Sequence, residues 1–298
     1  MLGIVFFCES LRPLRESLSP KSTRMAFVDL FCGAGGFTRG ARDAGLHLLA
    51  GFDNDAAALA QYNVNHGRGV HMDLSDEASA IRAVSALAPS VVVGSPPCTD
   101  FSSAGTRRCG ARARLTVSFA RIVAAALPAW CLLENVRPLV ESDEWREAHD
   151  VLRRAGYAVA WVVLNAAKCG VAQRRFRVFV VASRAGDVRE VVRRARRMQR
   201  SGAEAAVRDA LPDIGASYYV KARSVKNACV HSTARPAPTL RCNCLARKPP
   251  GYAPRHGDAG PLERAHELRA RDVTALSGFP AGYFATEPRR VTVARLVG

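Results

Sequence analysis

The chain has 298 residues, enough for one large domain with an appendage or for two domains, and its 48% apolar content is that of a globular protein. Lysine and arginine number 43 against 26 acidic residues, a formal charge of +17 that favours association with polyanions such as nucleic acid. No apolar run approaches the roughly 20 residues needed to span a bilayer, and 9 cysteines, an odd number at scattered spacings, read as reduced, intracellular thiols rather than a disulfide framework.

Residues 1–24 end in "SLSPKSTR" and read as a disordered leader. From Met25 the pattern alternates. "MAFVDLF" (25–31) predicts a strand, stopped by "CGAGGF", and a helix follows to Gly45. "LHLLAGFD" (46–53) predicts a second strand, with a helix closed by Gly67; "GVHMDLSD" predicts a third, followed by a helix over "EASAIRAVSALAP". "SVVVGSPPC" predicts a fourth strand, 115–128 a helix, "AWCLLENV" a fifth strand, and "EWREAHDVLRRAG" a helix. "YAVAWVVLNA" and "FRVFVVAS" predict two further strands without an obvious helix between them. Such alternation implies an α/β fold, a doubly wound and mainly parallel sheet over 25–184. Beyond it "GDVREVVRRARRMQR" is basic and helix-like, 201–260 is loop-rich, and a helical pattern returns after "PLERAHELRARDVTALSGFP" begins. This predicts a small second domain at 185–264 and a C-terminal helix within 265–298 that packs back on the first.

Ligands of open α/β sheets bind at the carboxyl ends of the strands. "DLFCGAGGF" ends the first strand, and its glycines allow close backbone approach at a helix start. Asp53 ends the second strand about 20 residues later, a place suited to a ribose diol, and Asp73 ends the third, where it could accept from an adenine amino group. No GxxxxGK[ST] loop is present, so the pattern describes a nucleoside pocket without triphosphate. Cys98 sits just past the fourth strand on a turn stiffened by Pro96 and Pro97, and Glu134 ends the fifth. A thiol and a protonatable carboxyl on neighbouring strand ends make an acid-assisted nucleophilic site. Arg175 and Arg177, in "QRRFR", fall on one face of a later strand, where they could hold a carboxylate, a phosphate or a base edge. "CNC" at 242–244 lies near Cys229 and His231 but lacks a CxxC pair, so no metal is expected.

In order, "FVDLFCGAGGF", "GFDND", "MDLSD", "GSPPCTDFSSAG", "ENV", "QRRFR", "RPAPTLRC" and "LSGFP" resemble the motifs of the cytosine-5 DNA methyltransferase family, over about 25–298. The resemblance implies a Rossmann-like S-adenosylmethionine methyltransferase sheet with a small, loop-rich target-recognition domain. It implies S-adenosylmethionine as cofactor, bound by Phe31, Gly33, Gly35, Asp53, Asn54, Asp73, Leu74, Pro97 and Leu115. It further implies duplex DNA as partner, with the target cytosine flipped out of the stack, and a monomer that needs no membrane. Cys98 would add to carbon 6, Glu134 would stabilise protonated ring nitrogen 3, Arg177 would contact the base, and Arg175 would help position Cys98. The arginine-rich segment 102–114 would be the loop that closes over the base. The family continues, where this sequence stops at Gly298, with a motif that completes the cofactor pocket. Two other readings therefore stand beside a DNA methyltransferase: a catalytically impaired DNA-binding pseudoenzyme, and a tRNA cytosine-5 methyltransferase.

Overall fold

The computed structural model describes residues 25–97, 113–221, 227–241, 244–245 and 247–285. They form two compact units: residues up to Leu164 together with Phe176–Arg200, and Asn165–Arg175 together with the residues from Ser201 onward. Among the described residues no helix is long and apolar enough to cross a membrane.

The first unit is built on strands β1 (Ala26–Leu30), β2 (His47–Asp53), β3 (Gly69–His71), β4 (Val91–Gly94), β5 (Trp130–Asn135), β6 (Ala158–Asn165) and β7 (Phe176–Ser183), in the order β3-β2-β1-β4-β5-β7-β6. The pairings β1–β2, β1–β4, β2–β3 and β4–β5 are parallel, and β5–β7 is antiparallel. This is the doubly wound sheet that the alternating pattern implies. Chain order reverses between β1 and β4, which creates a switch point at their carboxyl ends. Leu30 pairs with both Phe52 and Gly94, and Gly94 with Leu133, so the ends of β1, β2, β4 and β5 stand level.

Helices cover both faces because β4 and β5 are apolar on both. Val91, Val93, Trp130 and Leu132 join one core, and Val92, Cys131 and Leu133 the other. The helices are α1 (Gly36–Asp43), α2 (Ala56–His66), α3 (Glu77–Ala86), α4 (Leu115–Ala126), α5 (Asp143–Arg154) and α6 (Val188–Ser201). Local chemistry sets their ends. Asp55 accepts from the amides of Ala57 and Ala58 to start α2, and Gly67, at φ 63°, stops it. Ser142 caps α5, whose first turn carries Asp143 and Glu144 and whose last carries Arg153 and Arg154, matching the helix dipole at both ends.

The second unit contains the short helices α7 (Val207–Ala210) and α8 (Ala270–Leu276) and a three-stranded sheet, β10-β8-β9, of β8 (Ser217–Tyr219), β9 (Val230–Ser232) and β10 (His266–Glu267). Its core gathers Ala172, Val207, Tyr218, Leu240, Leu268, Val273 and Leu276. Gln173 ties three segments of it together: its amide nitrogen donates to Leu276 O and Ser277 Oγ, each at 3.3 Å, and its Oε1 accepts from Leu240 N at 3.2 Å. Asp258 organises the loops by accepting from the amides of Cys229, Val230 and Arg255 and from the Tyr252 hydroxyl.

Candidate active site

After Leu30 the chain makes three left-handed residues in five: Phe31 at φ 57°, Gly33 at 51° and Gly35 at 93°. In that conformation a non-glycine residue costs roughly 1–2 kcal/mol, and Phe31 is held in it by the flanking bonds Cys32 N to Phe52 O (3.1 Å) and Gly35 N to Cys32 O (2.8 Å). A Cβ built on Gly33 meets nothing within 4 Å, so the loop presents open backbone. Gly35 opens α1 without a side-chain cap, which leaves first-turn amides for an anionic group. Asp53 joins the loops after β1 and β2: Oδ2 accepts from Gly33 N and Oδ1 from Asp55 N, both at 2.8 Å.

Asn54 is exposed, and its carbonyl lies 3.1 Å from His71 Nε2. Asp73 does not end a strand, contrary to expectation. β3 stops at His71, because the Asp73 carboxylate accepts from Ser75 N and Oγ in a local turn that carries the chain out of the sheet. Those bonds hold Asp73 below the usual carboxylate range. Leu74 beside it is buried.

Asp29, inside β1, is a residue the sequence reading passed over. It is wholly buried; Thr38 Oγ1 donates to its Oδ2 at 2.6 Å, and Oδ1 has no partner among the described residues. Thr38 has one proton to give, so with Asp29 ionised the Tyr62 hydroxyl, 2.9 Å away, must donate to Thr38. Gly51 leaves the room for this chain: a Cβ there would fall 2.3 Å from the Tyr62 oxygen. Burial pushes the Asp29 carboxyl up to about 7, against the opposing effect of the Thr38 bond. The unfolded value is near 3.8. Between these two values the folded protein keeps a proton that the unfolded chain has lost, so this contribution to stability is full below about 4 and gone once the pH passes 7. The loss is on the order of 4 kcal/mol. Asp29→Asn keeps an acceptor for Thr38 and cannot ionise. Calorimetry should find its melting temperature flat between pH 5 and 8 where that of the parent falls; equal slopes would refute the assignment.

The other side of the switch point is built from β4, β5 and β7. Gly94 must lack a side chain, since a Cβ would lie 2.7 Å from both Leu30 O and Phe119 Cε2. Ser95 N donates to Leu30 O at 3.2 Å. Pro96 and Pro97 have no amide to donate, so the turn is held through a carbonyl: buried Asn135 donates from Nδ2 to Pro96 O at 3.0 Å, and its Oδ1 accepts from Val136 N. Sequence reasoning overlooked Asn135 as a positioning residue, although its place after Glu134 in "ENV" was the available signal. Pro97 and Leu115, the first residue of α4, are both half-buried. Cys98 and residues 99–112, and with them most of the segment 102–114, lie outside the described residues.

Glu134 pairs across the sheet with Phe179, which puts Arg177, two residues earlier on the antiparallel strand, on the same face at the diagonal position. Arg177 Nε meets Glu134 Oε1 at 3.0 Å, with the two side chains only 16% and 17% exposed. Arg177 also donates to Phe176 O at 2.8 Å. Among the described residues no bond engages Glu134 Oε2, so one carboxyl oxygen is held and the other is available. Arg175 does not sit on the strand with Arg177: β7 opens at Phe176, and Arg175 belongs to the second unit, its carbonyl accepting from Ala166 N at 2.9 Å. Its neighbour Arg174 forms a two-nitrogen ion pair with Glu204. Among the described residues no three histidine, cysteine or acidic side chains gather to hold a metal.

Residues 25–239 match the family described as C-5 cytosine-specific DNA methylase. The type II methyltransferase M.HgiDI of Herpetosiphon aurantiacus is 34% identical over 265 residues, 87% of this chain and 84% of its own. The type II methyltransferase M.HindV of Haemophilus influenzae is 33% identical over 224 residues, 73% of this chain and 72% of its own. Among solved structures, the Dnmt2 methyltransferase of S. pombe superposes with a TM-score of 0.69 at 20% identity, covering 93% of each chain, a likeness of fold.

Proposed function

The chain belongs to the family of C-5 cytosine-specific DNA methylases, and from that premise we propose that it modifies cytosine in duplex DNA by covalent catalysis on a flipped base, as the modification enzyme of a type II restriction-modification pair. The observation that carries the reading is the pair of ties at the ends of β4 and β5. Asn135 fixes the turn that leads into Cys98, and Arg177 fixes Glu134 with one oxygen to spare.

S-adenosylmethionine fits the residues opposite: the open Gly33 backbone, the uncapped start of α1 for its carboxylate, Asp53 for its ribose, and Asp73 with Leu74 for its adenine. When bound it supplies an electrophilic methyl group. The Cys98 thiolate adds to carbon 6 of the cytosine, and Glu134, having taken up a proton from solvent on the oxygen that Arg177 leaves free, gives it to ring nitrogen 3, so that the electron pair gathers on carbon 5. After carbon 5 has taken the methyl, loss of its proton to a base expels the thiolate, and nitrogen 3 returns its proton to Glu134. The cytosine must leave the duplex for this, since its ring faces are covered in the stack. Arg177 keeps Glu134 from swinging away and presents its guanidinium toward the base. The second unit serves as the target-recognition module.

The test is incubation with methyl-labelled S-adenosylmethionine and either duplex DNA or tRNA, followed by hydrolysis to bases. Label should appear as 5-methylcytosine in the DNA. Label in the tRNA alone would overturn the reading in favour of an RNA enzyme, for which the DNA methylase match offers no support.

A further inference from the structure

Helix α6 takes no part in the chemistry above, yet it carries six arginines against one glutamate in Val188–Ser201. Its apolar residues Val188, Val191, Val192 and Ala195 are buried in the core of the first unit. The opposite face is basic: Arg189, Arg193, Arg196 and Arg200 are spaced four, three and four residues apart, the repeat that keeps side chains in one row. At 1.5 Å per residue the row is about 16 Å long. Arg193 is engaged by Glu190 at 2.9 Å and Asp187 at 3.6 Å. The side chains of Arg189, Arg196 and Arg200 are exposed and meet no carboxylate among the described residues.

Arg196 also lines a groove of about 670 Å³ beside β6, the edge strand of the sheet. Trp145, Arg146, His149, Asp150 and Trp161 line it too; Arg146 is paired with Asp143, and Trp161 is 43% exposed. An exposed indole in one groove with the guanidinium of Arg196 suits sugar and base edges as much as phosphate. A second copy of this chain is a poor occupant, since the row would face its own charge on a protein of +17. We propose that the α6 row and the β6 groove form a second DNA contact, which grips the sugar-phosphate backbone without regard to sequence. The inference rests on the reading of the protein as a DNA enzyme, but it concerns a surface that the methyl transfer does not require.

Three readouts test it, none of which needs turnover. The variant Arg189→Gln/Arg196→Gln/Arg200→Gln is compared with Arg42→Gln/Arg68→Gln/Arg82→Gln, which removes the same charge from elsewhere in the unit. Binding to a non-cognate duplex is followed by anisotropy across a salt series. Neutralising the α6 row should flatten the dependence of log affinity on log salt by about 2 to 3, roughly 0.9 for each phosphate that the protein no longer neutralises, and the control set should leave it near the parent value. Trp161 gives the second readout, because Trp130 and Trp145 are only 1% and 6% exposed, so acrylamide quenching reports chiefly on Trp161. Duplex DNA should shield it in the parent and not in the α6 variant. Equal slopes for both variants, or quenching unchanged by DNA in the parent, would overturn the proposal. The third is calorimetry of S-adenosylmethionine binding, which should be the same in all three proteins. If the parent binds no duplex at all, the DNA assignment itself fails; if it binds and the α6 variant binds equally, only the second contact fails.

Discussion

Cys98→Ser is expected to lower kcat by at least about 10⁴-fold while leaving the affinity for duplex DNA within a few-fold of the parent. Position alone cannot rescue the serine. A thiol is ionised to a useful extent near neutral pH and its sulfur is intrinsically a strong nucleophile, whereas a hydroxyl must lose its proton during attack and has no general base assigned to take it. The turn that precedes residue 98 should survive the exchange, because its supports lie elsewhere: Ser95 N on Leu30 O, and Asn135 Nδ2 on Pro96 O. Single-turnover label transfer, measured beside anisotropy with the same duplex, separates lost chemistry from lost binding. Substantial transfer by the serine variant would remove Cys98 from the mechanism.

Glu134→Gln should cost about 10²- to 10⁴-fold in kcat, the range in which a positioned acid contributes to a rate. Glutamine fills the same space and can still accept from Arg177 through its carbonyl oxygen, so the pairing across β5 and β7 is kept. What it lacks is a proton to give to ring nitrogen 3, without which the added thiolate leaves carbon 5 poorly activated. Glu134→Asp is the informative companion. It retains the proton but withdraws the carboxyl by one methylene from the oxygen that Arg177 now holds at 3.0 Å, so an intermediate rate is expected. The KM for DNA should change little in either variant, because the interaction strengthens only as the base is attacked. A Glu134→Gln enzyme with near-parental kcat would show that the proton comes from elsewhere.

Much of this site is legible in the sequence because a doubly wound sheet puts ligands at strand ends. The residues that punctuate apolar runs, Gly33, Asp53 and Glu134, could therefore be picked out by position alone. What resisted reading depends on pairing between distant strands. Asp29 lies inside "FVDLF" and reads as part of a strand; its burial follows from neighbours on β2 and β4 and from Thr38 and Tyr62 on two helices. Asn135 becomes a support for the turn at Pro96 only when β4 and β5 are side by side. The alternation rule placed Arg175 and Arg177 on one face, but a strand boundary at Phe176 sends the first into the other unit. Asp73 was misplaced by two residues for a local reason, a side chain that bonds its own following turn in preference to the ladder. The row of arginines on α6 was visible as a basic helix, while its separation from the buried valines needed the fold.

The central claim is that Cys98 forms a bond to the target base, and the most direct measurement is trapping. Duplex DNA containing 5-fluorocytosine in place of the target cytosine is incubated with the protein and S-adenosylmethionine, and the mixture is denatured and weighed by mass spectrometry. Fluorine at carbon 5 cannot leave as a proton does, so the thiolate that has added to carbon 6 cannot be expelled. A denaturation-resistant one-to-one adduct that carries the transferred methyl, maps to the peptide containing Cys98 and is absent from Cys98→Ser is the predicted result. Methylation of ordinary cytosine under the same conditions, with no adduct on the fluorinated duplex or an adduct at another cysteine, would contradict it.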